Sequence, residues 1–139
     1  MQVNRRELEP RAAAEVIDST LQHDYVEQTR TVHNRRHYIL ETHLGNRYYV
    51  IWKRELYLSF GETFGYSGPG ESVDVETVQY AMRRGITNFV FVYPSGRVYV
   101  VPVREVFNFA TKNDTIRDLH SSGDRVMSFP IKMEHRWKG

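Results

Sequence analysis

The chain has 139 residues, 40% of them hydrophobic and 26% charged, with a formal net charge of +2 and no cysteine. That length predicts a single domain, 1–139, able to bury a core. The missing cysteine excludes disulfides, thiolate nucleophiles and Cys-ligated zinc, and no apolar run is long enough to cross a membrane as a helix.

Pro10 suits the first turn of a helix, where its missing N–H costs nothing. Leu8, Ala13, Val16, Ile17 and Leu21 recur at helical spacing, which predicts a first helix over 10–25. Residues 27–34 are polar and read as loop. Residues 37–43 alternate as a strand, with Tyr38 and Leu40 on one face and His37, Ile39, Glu41 and His43 on the other. Leu44-Gly45-Asn46 is a turn. The aromatic, β-branched run 47–53 reads as an interior strand, followed by a tight turn at Arg54-Glu55 and a returning strand over 56–60.

Residues 61–72 hold four Gly and one Pro in twelve positions and predict a long, poorly ordered loop. A helix over 73–84 follows. Ser72 or Asp74 would cap it, Arg83 and Arg84 sit at its negative end, and Gly85 supplies the residue past it. Residues 88–93 are apolar on both faces and predict a covered interior strand. Residues 97–101 pair back across Pro94-Ser95-Gly96-Arg97. Pro102 opens a helix through Val103, Val106, Phe107 and Ala110. Residues 114–119 read as one helical turn and Ser121-Ser122-Gly123-Asp124 as a turn. Residues 126–131 form a last strand, which Pro130 confines to an edge. The expected fold is α/β (α+β): a mixed central sheet flanked by helices, in the order α-β-β-β-α-β-β-α-β.

That order resembles the restriction-endonuclease-like fold, the PD-(D/E)xK nuclease superfamily. The core of that fold is a helix, three antiparallel strands, a helix and a further strand. The stretch NFVFVYPSGRVYVVPVREV is similar to the hairpin and helix that often follow this core. The resemblance covers roughly residues 9–110. It implies a first acid near a strand start and an acid-x-Lys on a central strand, which together hold Mg²⁺ and orient the attacking water. Lys53 stands where the motif lysine would be, and Glu41 lies ten residues before Ile51. Ile51 itself occupies the place of the second acid, so the motif is broken. A migrated carboxylate would have to come from Glu76, Glu71, Asp74 or Glu62, with Glu15 as a further acid. The resemblance thus implies Glu41, Lys53 and Glu76 as catalytic residues, with Glu41 and Glu76 as the Mg²⁺ ligands.

Arg outnumbers Lys 15 to 4, and guanidinium groups make the better bidentate phosphate contacts. The same excess also follows genome base composition. On a nuclease-like fold, Arg35, Arg36, Lys53, Arg83 and Arg84 would meet phosphate, and Tyr66 or Phe64 would meet bases or sugars. DNA or RNA is then the expected partner. The contrasting expectation is a non-catalytic interaction or homodimerisation module using the strand near Val126. Each candidate also has a plainer role. Lys53 would be a solvated strand end, Glu41 part of a wet face with His37 and His43, and Asp74 and Glu76 helix-dipole partners. Zinc at His37, Glu41 and His43 would need a bent strand to converge three ligands. His33 and His37 would share a face only in a helix. Residues 68–72 lead toward a helix start that would favour an anion but lack a P-loop ending. The amino end shows no apolar signal-peptide run, which gives a cytoplasmic expectation.

Overall fold

The computed structural model of the chain describes residues 23–30, 36–42, 47–118 and 125–136. In chain order these form β1 (His23–Arg30), β2 (Arg36–Thr42), β3 (Arg47–Trp52), α1 (Phe60–Phe64), β4 (Gly70–Asp74), α2 (Val75–Arg83), β5 (Asn88–Val92), β6 (Val98–Pro102), α3 (Val103–Asn113), β7 (Ile116–Asp118), β8 (Arg125–Pro130) and a 3-10 turn at Met133–His135. The fold is α+β. Five strands make one sheet in the order β1-β2-β3-β5-β6, and three make a second in the order β4-β8-β7. Among the described strands, only β3 and β5 run parallel, in register from Tyr48↔Asn88 to Trp52↔Val92.

The two strands richest in apolar residues lie inside the larger sheet. β3 sits between β2 and β5, and β5 sits between β3 and β6, as their two-faced apolar pattern predicts. Tyr49, Ile51, Phe89 and Phe91 turn toward one core with Val78 and Ala81 of α2 and Val106 and Ala110 of α3. The alternate residues Val50, Trp52, Val90 and Val92 are buried too. The β5–β6 hairpin closes at Gly96, whose φ of 86° is left-handed and favours glycine. Its N–H bonds the Tyr93 carbonyl at 2.9 Å.

Several expectations are corrected. The single central sheet is two sheets. Residues 10–22 of the first predicted helix lie outside the described residues, and 23–25 belong to β1, which also takes 27–30 of the expected loop. β1 is an edge strand whose register against β2 runs from His23↔Thr42 to Arg30↔Arg36. An edge needs one pairing partner rather than a strong propensity of its own, so polar Glu27 and Gln28 are tolerated. The returning strand over 56–60 is reduced to one bridge, Tyr57↔Gly70, because Phe60 starts α1. α2 begins at Val75 because β4 continues to Asp74, and Asp74 stands at the N-cap without a capping side-chain hydrogen bond. Asp114 is a left-handed C-cap of α3 at φ 55°, not the start of a helix, and β7 follows it. β8 is the middle strand of its sheet. Pro130 is tolerated because it ends the strand opposite Gly70. The expected turn over 121–124 lies outside the described residues.

The expected loop over 61–72 is also built differently. It contains α1 and most of β4, and its rings pack on one another. Phe60 stacks on Tyr66 at 5.8 Å and meets Phe64 at 5.2 Å and Phe109 at 6.2 Å. Gly70 is required by this packing. A Cβ there would lie 2.5 Å from the Phe129 carbonyl oxygen and 2.5 Å from Phe60 Cγ. Gly70→Ala is therefore expected to destabilise by about 1–3 kcal/mol, the usual cost of overpacking. Urea unfolding measures it, and an unchanged midpoint would show that β4 and Phe60 can separate freely.

Candidate functional site

Lys53 follows the last residue of β3, and its N–H still bonds the Val92 carbonyl at 2.9 Å. Its side chain turns inward. Lys53 Nζ donates to the Ser72 carbonyl at 2.6 Å and lies 3.5 Å from Glu71 Oε1. Glu71 is only 5% exposed. Its Oε1 also accepts the Ser72 N–H at 3.1 Å, and its Oε2 accepts the Tyr93 hydroxyl at 2.7 Å. Burial, and then the negative charge of Glu71, push the Tyr93 phenol well above its ordinary range, so Tyr93 stays protonated and donates. The result is an ammonium–carboxylate–phenol chain that ties the end of β3 to β4 and to the residue after β5. Ser72 Oγ continues it to Ser128 Oγ on β8 at 2.8 Å.

A crevice of ≈ 340 Å³ opens beside this chain, outside the carboxyl ends of β3 and β5. Its walls include Arg54, Leu56, Tyr93, Pro94, Arg97 and Tyr99. Tyr93 and Tyr99 meet edge to face at 5.6 Å. Arg54 comes from the turn after β3 and Arg97 from the hairpin after β5. Both are exposed, and neither forms an ion pair among the described residues. Crevices at the carboxyl ends of neighbouring parallel strands are a general place for ligands in α/β sheets.

The residues singled out in the sequence are not gathered in one place. The register sets Glu41 opposite Arg47 at the amino end of β3. Lys53 is six residues further along, about 20 Å at strand rise. Glu41 and Lys53 therefore do not share a site, because an antiparallel neighbour runs away from the lysine end. Glu76 is exposed in the first turn of α2, and Glu62 is exposed in the first turn of α1. Of the acids weighed for the migrated carboxylate, Glu71 is the one beside Lys53. Glu15, His33, Arg35 and His43 lie outside the described residues. Arg36 begins β2, at the end away from Glu41. Arg83 and Arg84 are exposed at the end of α2, where Arg47 Nη1 donates to the Arg84 carbonyl at 2.6 Å, at the amino end of β3. The basic residues are thus divided between opposite ends of β3. Tyr66 is 37% exposed, stacked on Phe60, with its hydroxyl donating to Asn113 Oδ1 at 2.8 Å. Its ring packs on Phe60 and Phe109. β8 is paired on both sides, so the strand near Val126 offers no free edge for a homodimer.

Mg²⁺ does not fit the Lys53 site as the described residues build it. That ion needs several oxygen donors, and both oxygens of Glu71 already accept from Lys53, Ser72 and Tyr93. A second cluster has ligand atoms of Glu105, Glu134 and His135 within 4.8 Å of one another. There Lys132 Nζ takes the cation's place, 3.9 Å from Glu105 and 3.8 Å from Glu134. His135 is buried, and its Nδ1 accepts the Lys132 N–H at 2.9 Å. Its proton therefore sits on Nε2, which donates to Glu105 Oε1 at 2.9 Å. Nδ1 thus caps the 3-10 turn, and Nε2 holds the turn to α3.

Reading the sequence missed Tyr93, Arg97 and the Glu105–His135 pair as site residues, and noted Arg54 only as part of a tight turn. A signal existed for the arginines, since each stands in the turn directly after a strand predicted to be interior. Nothing in the sequence pairs residues 30 positions apart such as Glu105 and His135. Comparison with family models, with curated proteins and with solved structures gave no match to this chain.

Proposed function

We propose that this protein binds the phosphate backbone of nucleic acid in the crevice at the carboxyl ends of β3 and β5, on a nuclease-like scaffold that does not cleave. The observation that carries this is the pair Arg54 and Arg97. Two guanidinium groups without an ion pair among the described residues flank one crevice, and guanidinium is the side chain best shaped for phosphate. The nuclease-like part of the reading is supported by the chain order, with a three-strand antiparallel meander, α2 and then the parallel strand β5. The non-cleaving part is supported by Ile51 at the expected acid position, by Glu41 at the far end of β3, and by a Glu71 carboxylate already committed to Lys53 and Tyr93.

Binding should fall steeply with salt, because each phosphate contact releases counterions. The double variant Arg54→Ala/Arg97→Ala should weaken binding to all sequences alike and flatten the log–log salt slope by about two. Fluorescence anisotropy on duplex and single-stranded DNA and on RNA, at several salt concentrations, measures this. No binding at low salt, or an unchanged slope in the double variant, would overturn the reading. Cleavage by the wild-type chain in Mg²⁺ or Mn²⁺ would overturn its non-catalytic half.

A further inference from the structure

A larger cavity, ≈ 520 Å³, lies between α3 and the end of β8 and shares no lining residue with the crevice. Its volume is in the range of small-ligand sites. Phe109, Phe129 and Pro130 supply its apolar surface. Its polar groups stand in order along α3: Glu105, Asn108 and Lys112 follow one another at i, i+3 and i+7, which places them on one helix face. Glu105 and Lys112 are about 10 Å apart along the helix axis.

Each of the three has capacity left. Glu105 Oε1 is held by His135 and Lys132, while its Oε2 has no partner among the described residues. The Asn108 amide makes no hydrogen bond, and the Lys112 ammonium makes no ion pair, among the described residues. Lys132 is already placed between Glu105 and Glu134. The cavity therefore presents a fixed acceptor at one end, a cation with no ion pair among the described residues at the other, an amide between them and aromatic surface beside them. The occupant that matches is about 10 Å long, with an N–H donor at one end, a planar apolar body and an anion at the other.

We infer that this cavity binds a nucleoside monophosphate, its base amine on Glu105 and its phosphate on Lys112. The inference stands on its own residues and not on the crevice. Titration calorimetry with adenosine monophosphate, with adenosine and with inorganic phosphate tests it on the full chain. The monophosphate should bind at least tenfold more tightly than either half. Lys112→Ala should weaken monophosphate binding at least tenfold and leave adenosine binding unchanged. Asn108→Ala should also weaken the monophosphate. Both positions are exposed, so the variants should keep the wild-type circular dichroism. Absence of binding at millimolar monophosphate overturns the inference, as does binding unaffected by Lys112→Ala. Binding lost in Arg54→Ala/Arg97→Ala but kept in Lys112→Ala moves the nucleotide to the crevice, overturning this cavity while leaving the proposed function intact.

Discussion

Lys53→Met is expected to lower unfolding stability by about 3–5 kcal/mol, the cost of breaking a buried ion pair from one side. The reason is what remains. Glu71 is 5% exposed, and without the ammonium its charge would be left with only the Ser72 N–H and the Tyr93 hydroxyl. The Glu71 side chain is only 6% exposed, against 23% for Lys53, so water reaches the orphaned carboxylate poorly. The Ser72 carbonyl loses its 2.6 Å donor in the same step. The pair Lys53→Met/Glu71→Gln removes both charges, keeps the aliphatic stem, and leaves an amide oxygen for Tyr93. It should recover most of the loss, giving a large coupling energy in the double-mutant cycle. Urea unfolding of the four proteins measures it. A solvated strand-end lysine would shift stability by less than about 0.5 kcal/mol on removal, and that result would dismantle the chain described at this site.

This expectation separates what could be read in the sequence from what could not. Strands β3 and β5 were legible because a strand buried on both faces must be apolar at every position, and few other elements share that pattern. The start of α3 was legible because Pro102 suits a helix start, and it stands at the N-cap of α3 while ending β6. β1 was not, because an edge strand with Glu27 and Gln28 carries the polarity of a loop and gets its order from β2. β4 was hidden in a glycine-rich run, because Gly70 marks a close approach to Phe60 and Phe129 that only the tertiary fold reveals. β8 was read as an edge from Pro130, yet proline at a strand's last position leaves the preceding residues free to pair on both sides.

The site follows the same logic. Lys53 was singled out because it follows an interior strand, where the resemblance puts a motif lysine. Its partner was not fixed, because Glu71, Asp74 and Glu76 lie within six residues of one another, and only strand pairing decides which of them faces β3. Glu41 was drawn in by chain spacing alone. Spacing along antiparallel strands does not measure distance: Glu41 pairs opposite Arg47 at the amino end of β3, while Lys53 follows its carboxyl end.

The segment after β3 gives the second large expected effect. Phe60→Ala should cost about 3–5 kcal/mol, the usual loss for a fully buried phenylalanine. Phe60 is 0% exposed and meets the rings of Tyr57, Phe64, Tyr66 and Phe109, so one truncation opens a cavity beneath α1 and against Gly70 of β4. The neighbouring backbone depends on it. Gly65 and Tyr66 both donate their N–H groups to the Gly61 carbonyl, at 2.7 and 3.0 Å, closing the turn that carries Tyr66 onto Phe60. Hydrogen exchange at these two amides should speed up in Phe60→Ala more than at Phe89 or Phe91, which lie in the larger sheet. Tyr66→Ala removes a ring already 37% exposed and should cost clearly less than Phe60→Ala. If residues 61–70 were the open loop that their glycine content predicts, both variants would unfold within about 0.5 kcal/mol of wild type. A several-fold larger loss confined to Phe60 instead shows that aromatic packing, not backbone propensity, orders this stretch and so holds Glu71 beside Lys53.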